Sequence, residues 1–429
     1  MAVKKQYFNF TKYTFSKKKI AYIPETLFVS LNQYGVEECV PIVRLGDIVY
    51  EGQPIGRCAG DNALVHSPVP GVVTGFDYLS MPNGKRSLTA IIRVNGNFTY
   101  TGKAESVSDW KLLSATELIT LFKNKGIINT FFYKPESLAK QCIDSSIIGK
   151  TLYVSLFDKQ SDIYVDAFLT KFYLEKIVVG AQIVAKAIKT SKIVFFYNES
   201  SSKKLDSCIK SLISSDIKAE CVFIRDGQNV NIGKDTFSEI VSKNFPEQKD
   251  LKSPAFCIGS SSLRDVYNGV VLSKPVIDQM VQVVGSGLYK SNLFQARIGT
   301  PIKNLIYECG GTRKIPGKII VNGLVQGIDI ADINTPITKF VKSITILEKK
   351  ELHNATISSC IHCGRCHTIC PVGIHPDSLF LAYTSKVSVS KEILATKNWC
   401  SECGLCNTVC PARLPLNQVI SLLKEENND

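Results

Sequence analysis

The chain has 429 residues, 45% of them hydrophobic, the proportion of an ordinary globular protein and enough for two to four domains. Its formal charge is +13, with lysine clusters at Lys17-Lys18-Lys19 and Lys203-Lys204, but no nucleic-acid motif accompanies them; solvated lysine is expected, or docking to an acidic partner or an anionic membrane face. No run approaches the roughly 20 apolar residues that span a bilayer, and Met1-Ala2-Val3-Lys4-Lys5 leads into no apolar core, so neither a membrane span nor a secretion signal is expected.

Residues 1–20 are lysine- and aromatic-rich without a period and read as a basic arm. Residues 21–107 read as a small all-β unit of short strands and turns, including Val40–Arg44, Ile48–Tyr50, Val65–Gly75 and Thr89–Val94. The spacing G-D-x-V-x-x-G-Q-x-I from Gly46 to Ile55, followed by His66-Ser67-Pro68-Val69-Pro70-Gly71, resembles the barrel-sandwich hybrid of biotinyl and lipoyl domains. Those domains carry a modified lysine at a hairpin tip. The tip here has none, so the fold is expected without a swinging cofactor arm.

Residues 108–250 alternate strand-like segments (Leu152–Leu156, Ile193–Tyr197, Ala219–Ile224) with helix-like ones (Phe168–Ala187, Lys203–Leu212), which predicts a Rossmann-like α/β domain with a mainly parallel sheet. Residues 251–350 hold shorter, glycine-rich β pieces; Gly285-Ser286-Gly287 lacks the third glycine of a dinucleotide loop and reads as a strand-end turn. Residues 351–429 form a helical C-terminal domain, with helices expected over Asp377–Lys397 and from Pro415 onward. The fold class is multidomain, α+β and α/β.

That last region carries the chemistry. Cys360-Ile-His-Cys363-Gly-Arg-Cys366-His-Thr-Ile-Cys370-Pro371 and Cys400-Ser-Glu-Cys403-Gly-Leu-Cys406-Asn-Thr-Val-Cys410-Pro411 are both C-x2-C-x2-C-x3-C-P, the bacterial ferredoxin pattern for cubane clusters. Three thiolates two residues apart wrap a cubane if the backbone curls tightly, and Gly364 and Gly404 permit that curl. In two-cluster ferredoxins the fourth cysteine ligates the other cluster. One [4Fe–4S] cluster is therefore expected on Cys360, Cys363, Cys366 and Cys410, and a second on Cys400, Cys403, Cys406 and Cys370. Zinc prefers paired C-x2-C units, and a disulfide scaffold does not suit a long chain without a secretion signal. His362 and His367 lie among the ligands but are surplus to four cysteines per cluster. The other seven cysteines (Cys39, Cys58, Cys142, Cys208, Cys221, Cys257, Cys309) read as small buried apolar residues. Oxygen-sensitive clusters point to a reducing cytosol.

With these motifs in view, the whole chain resembles the C subunit of the Rnf complex, the ion-translocating ferredoxin:NAD oxidoreductase. The resemblance rests on Ile23 through Gly75, on Arg297-Ile298-Gly299-Thr300-Pro301 through Cys309-Gly310-Gly311 and Asn322-Gly323 to Thr335-Pro336-Ile337-Thr338-Lys339, and on the two cluster motifs with Trp399 and Pro415. It implies a soluble-ligand-binding (SLBB-like) β-grasp domain over 251–350, a peripheral position on the cytoplasmic face of the inner membrane, and the complex's membrane subunits as partners. A ferredoxin or flavodoxin-like carrier would be the soluble partner. It also implies FMN and NADH, held by a loop G-x-x-G-x-G-G-x-G-F-P-x-x-x-K and a segment N-x-x-E-x-E-P. Here the loop runs from Gly126 to Lys140 and keeps the first glycine, a proline and the lysine; the second segment aligns with Ser155–Asp162 and keeps one acid, Asp158. Lys140 and Asp158 are the flavin or nucleotide contacts that carry over. The lost glycines speak against direct NADH oxidation and for a subunit that relays electrons. Cobalamin reductases of bacterial microcompartments share the layout and give the alternative, a soluble reductase module. The sodium-pumping quinone reductase A subunit is related but lacks the clusters.

Overall fold

The structure is a computed structural model describing residues 13–33, 39–96, 98, 109–131, 135–145, 147–160, 162–199, 205–224, 256–351, 357–370, 372–385, 388–400 and 402–425. Most of the basic arm, Lys203-Lys204, Phe132-Tyr133-Lys134 of the family's loop region and Pro371 lie outside the described residues.

The arm ends in a short strand, β1 (Lys19–Ile20). Seven strands follow: β2 (Thr26–Ser30), β3 (Cys39–Pro41), β4 (Ile48–Val49), β5 (Pro54–Cys58), β6 (Leu64–His66), β7 (Gly71–Ser80) and β8 (Arg86–Val94). They form a four-stranded sheet, β2-β8-β7-β4, facing a three-stranded one, β3-β5-β6. Alternate residues turn inward, so that Leu27, Val29, Leu31, Ile55, Val65, Val73 and Ile92 make one core between the sheets. Gly71 is required here: a Cβ would stand 2.3 Å from the Arg93 carbonyl oxygen. Cys39 and Cys58 stand opposite each other in the β3–β5 register and are joined as a disulfide. Both are buried, as expected of the seven scattered cysteines, but they are paired, because antiparallel register points both side chains to one face; exposed Cys208 departs from that expectation. Of the others, Cys142, Cys257 and Cys309 are buried, Cys221 is half-buried and Cys208 is exposed.

The central unit contains α1 (Ala115–Asn124), β9 (Ile128–Asn129), β10 (Glu136–Ser137), α2 (Leu138–Ile143), β11 (Leu152–Ser155), α3 (Asp166–Ala187), β12 (Lys192–Tyr197), α4 (Leu205–Leu212), β13 (Lys218–Phe223), β14 (Phe256–Gly259) and α5 (Ser260–Val270). Its parallel sheet has the order β13-β12-β11-β14. The fourth strand and its helix thus come from beyond residue 250, where the sequence suggested a boundary. Side chains alternate across the sheet: Leu152, Val154, Ile193, Phe195 and Ile258 face the helices, while Tyr153, Val194, Phe196 and Cys257 join Phe131 and Phe157 on the other side.

Next come β15 (Asp278–Val284), β16 (Asn292–Arg297), α6 (Ile302–Glu308), β17 (Pro316–Val321), β18 (Ile328–Asp329) and β19 (Ser343–Glu348). They form a mixed sheet, β1-β16-β15-β19-β17-β18, in which the arm's Lys19 and Ile20 pair parallel to β16 at one edge. The C-terminal unit is built from short helices: α7 (Arg365–Ile369), α8 (Pro376–Thr384), α9 (Lys391–Ala395), α10 (Leu405–Val409) and α11 (Leu416–Glu425). The single helix expected over Asp377–Lys397 is instead α8 and α9. The intervening Ser388-Val389-Ser390 is a poor helix former, and Ser390 starts a new helix by accepting the Ile393 N–H on its side chain. Among the described residues no helix is long and apolar enough to cross a membrane.

Candidate metal centres

The two cysteine motifs fold into near-identical loops. Gly364 and Gly404 start α7 and α10 in the left-handed region, at φ +69° and +74°. Two non-glycine residues share that region at matching positions, His362 (φ +52°) and Glu402 (φ +58°). The reversal turns the amide of each back toward the first cysteine: His362 N–H reaches Cys360 Sγ at 3.5 Å, and Glu402 N–H reaches Cys400 Sγ at 3.4 Å. Cys370 and Cys410 leave their helices in extended conformation, φ/ψ −67°/119° and −73°/113°, so each fourth cysteine departs from its own loop. Helices α7 and α10 pack against one another.

One cavity is lined by Cys360, Cys363, Cys366 and Cys410, with Gly364, Asp377, Pro411, Leu414 and Leu416 around them. Three of these cysteines come from the first motif and the fourth from the second. On the other side, Cys370 and Cys400 pack on a common apolar cluster of Ile374, Leu379 and Ile420. Cys406 lies close enough to Cys400 and Cys403 to feel their charge, and Cys400 feels that of Cys370. The two groups adjoin where Cys366 and Cys406 share one apolar cluster.

Burial pushes the Cys366 thiol up to about 11 and raises Cys400 and Cys406 as well. Such thiols stay protonated until a bound cation compensates, so metal binding here displaces protons. Among the described residues, no three His, Cys, Asp or Glu side chains converge as a single ion requires. A cubane holds its four thiolates apart across its own body, and the four cysteines lining the cavity are the donor type an iron–sulfur cluster takes. His367 uses Nδ1 on the Ile374 carbonyl at 2.9 Å and stacks on His375 at 4.0 Å, and His362 is exposed. Neither lines the cavity.

Two lysines that no motif flagged brace the second loop. Lys397 Nζ donates to the Leu423 carbonyl at 2.6 Å, and Lys424 Nζ to the Cys400 carbonyl at 2.5 Å and Glu402 Oε1 at 3.0 Å. Their only sequence signal is lysine flanking a cysteine motif.

In the α/β unit, the strand order reverses between β11 and β14, the position where open α/β sheets bind ligands. Helix N-termini at such a point suit phosphates, but the chain fills both with its own carboxylates. Asp158 accepts the N–H groups of Val165, Asp166 and Ala167 at 2.9, 3.0 and 3.1 Å, opening α3. Asp166 Oδ1 accepts Ser261 N–H at 2.7 Å and Ser261 Oγ–H at 2.5 Å, opening α5, while its Oδ2 meets Lys342 Nζ at 2.6 Å. Burial, and then the neighbouring Asp166, pushes Asp158 above the ordinary carboxylate range, against the pull of Lys342 and the N–H donors. Asp158 is thus a part-buried helix cap, not a surface charge. Lys140 is exposed on α2 and does not line the crevice. That crevice holds about 80 Å³ between Phe131, Phe157, Asp158 and Lys342. Ligand pockets usually run to about 300–1,000 Å³. This crevice is narrower than a usual flavin site.

Residues 10–97 match the family model described as the RnfC barrel-sandwich hybrid domain. The chain is 27% identical over 384 residues to the C subunit of the ion-translocating oxidoreductase complex of Methanosarcina acetivorans, covering 83% of this chain and 82% of that one. It is 23% identical over 357 residues to the C subunit of the Na(+)-translocating ferredoxin:NAD(+) oxidoreductase complex of Acetobacterium woodii, covering 82% and 80%. A looser likeness, TM-score 0.48 at 11% identity over 72% of this chain and 61% of the other, is to a chain of an NAD+-reducing [NiFe]-hydrogenase in the H2-reduced state. The expected barrel-sandwich hybrid and the resemblance to Rnf C subunits are borne out.

Proposed function

We propose, from this kinship with C subunits of ion-translocating oxidoreductase complexes, that the chain passes single electrons through two [4Fe–4S] clusters inside a membrane-associated complex of that kind. Cys360, Cys363, Cys366 and Cys410 hold one cluster, and Cys400, Cys403, Cys406 and Cys370 the other. The observation that carries this reading is the cavity whose fourth sulfur, Cys410, comes from the opposite motif, because cross-ligation sets two cubanes side by side. When bound, the clusters supply one-electron redox chemistry. The protein's own part is to hold eight thiolates in two groups, to turn the His362 and Glu402 amides onto the sulfurs, and to bury Cys366, Cys403 and Cys406 from solvent.

The partners are membrane subunits of the complex and a soluble carrier such as a ferredoxin or flavodoxin. The place of action is the cytoplasmic face of the membrane. The sheet preceding the cluster domain supports a β-grasp reading: its five strands after β1 run second-first-fifth-third-fourth, with the first and last parallel at the centre. The α/β domain acts as a spacer, since two carboxylates occupy its anion sites and aromatic side chains narrow its crevice.

The test is an anaerobic reconstitution with iron, sulfide and FMN, followed by NADH and then dithionite. The expected result is no retained flavin, no bleaching of cluster absorbance by NADH, and bleaching of both clusters by dithionite. Flavin retention with NADH bleaching would restore a complete NADH-oxidising protein and sink the relay reading.

A further inference from the structure

The two motifs share a backbone but not an environment. In the second, Cys403 and Leu405 are 8% and 4% exposed. A Cβ on Gly404 would stand 2.6 Å from the Val325 carbonyl oxygen, in the loop between β17 and β18. Val325 N–H in turn donates to Gln160, beside the α/β crevice. The second loop is therefore pressed into the body of the chain. The first faces outward: Cys363 is exposed, and a Cβ on Gly364 would meet nothing within 4 Å.

The residue types follow the same division. Buried Leu405 corresponds to exposed Arg365, and Glu402, tied to Lys424, corresponds to exposed His362. Arg413, three residues past Cys410, is also exposed. Ile357 and Ile361, each 65% exposed, adjoin the backbone of these residues: Ser358 N–H donates to the Ala412 carbonyl at 3.1 Å, and Ile361 lines the cavity with Gly364 and Ala412. The part-buried Asp377 is the acidic group among the described residues that line the cavity beneath. An apolar centre with a basic rim over a redox site matches an acidic protein surface.

We infer that the first motif is the chain's electron port: an acidic electron-carrier protein docks over Cys363 against Ile357, Ile361, Arg365 and Arg413, while the second motif serves the interior. The inference rests on the two-cluster reading. In the exchange one electron crosses at a time, one partner being oxidised as the other is reduced, and no bond is made or broken. The exposed Trp399 beside Cys400 offers the competing entry.

The test uses the anaerobically reconstituted full chain and, as probe, a small acidic two-cluster ferredoxin, with binding followed by surface plasmon resonance at low and high salt. Iron counting and the electron paramagnetic resonance of the dithionite-reduced chain report the clusters separately. Arg365→Glu/Arg413→Glu is expected to weaken binding about tenfold or more and flatten its salt dependence, with both clusters retained. Lys303→Glu/Lys314→Glu, the same charge change on exposed lysines elsewhere, is expected to leave binding within about twofold. Equal loss in both variants, or loss with Trp399→Ala and none with Arg365→Glu/Arg413→Glu, would overturn the port. Absence of two clusters from the wild-type chain would instead sink the two-cluster reading itself.

Discussion

Individual residues bring two of the segments that carried the family resemblance, and the surviving glycine of the altered loop, to one buried point. His66, from the first, is buried; its Nδ1 lacks a hydrogen-bond partner among the described residues, and its ring bonds the Asn124 backbone. Lys339, from the second, is 1% exposed, and its Nζ donates to the carbonyl of Gly126, the glycine that survives from the lost loop, at 2.7 Å. Burial, then the Lys339 charge, pushes His66 down to about 3, and burial pushes Lys339 down to about 7 despite Asp265 and Asp61. Both groups hold fewer protons folded than unfolded, so stability rises with pH, from about 3 to 6.5 for His66 and from about 7 to 10.5 for Lys339. Lowering the pH from 7 to 5 therefore costs the wild type about 2 kcal/mol through His66, at about 1.4 kcal/mol per unit once below the unfolded value. His66→Gln removes that titration. The gap in melting temperature between wild type and His66→Gln should narrow as pH falls from 7 to 5; a constant gap would show that His66 does not titrate on unfolding. The importance of these two residues was legible as motif, but their meeting was not, since nothing local links positions 66, 126 and 339.

At the scale of elements, strand and helix identity was legible wherever period and length agreed. Helix α3 covers Asp166–Ala187 where apolar spacing predicts Phe168–Ala187, and β12 covers Lys192–Tyr197 where Ile193–Tyr197 was expected. What sequence could not give was partnership. Strand β14 joins the α/β sheet across a long separation, and Asp158 and Asp166 look like surface acids until the fold turns them onto helix N-termini. The pairing of α3 with α5 is another such contact, and it turns on Gly180. A Cβ there would stand 2.4 Å from the Leu263 carbonyl oxygen, a backbone atom that cannot rotate away. Helix propensity alone favours alanine over glycine by about 1 kcal/mol, whereas overpacking costs about 1–3 kcal/mol. With a backbone atom in the way the steric cost wins, and Gly180→Ala is expected to lower stability by up to about 2 kcal/mol on these magnitudes. A thermal denaturation series would read this as a lower melting temperature; a rise would mean that the helices part at no cost.

For the whole molecule, the cluster region combines what was most legible with what was least. Cysteine spacing with the two-cluster ferredoxin pattern predicts two groups of four sulfurs, because ligand geometry is written into local sequence, and the structure lines one cavity with the first four. How the region is fastened to the rest was not, because the same loop serves outside at Gly364 and inside at Gly404. Asparagine separates the two roles. Among non-glycine residues it tolerates positive φ best, so at position 364, with φ +69° and no protein atom within 4 Å of an added Cβ, Gly364→Asn should leave the packing of the region against the body of the chain intact. At position 404 the backbone conformation is nearly the same, φ +74°, but any Cβ meets the Val325 carbonyl. Gly404→Asn must therefore push the cluster region away from the β17–β18 loop, or deform the loop that carries Cys403. Limited proteolysis near residues 349–360 should be faster in Gly404→Asn than in Gly364→Asn or wild type, and iron content should fall below that of the Gly364→Asn variant. Equal proteolysis and equal iron in the two variants would mean that the second loop is not seated against the body of the chain, and the distinction between an inner and an outer cluster would fall with it.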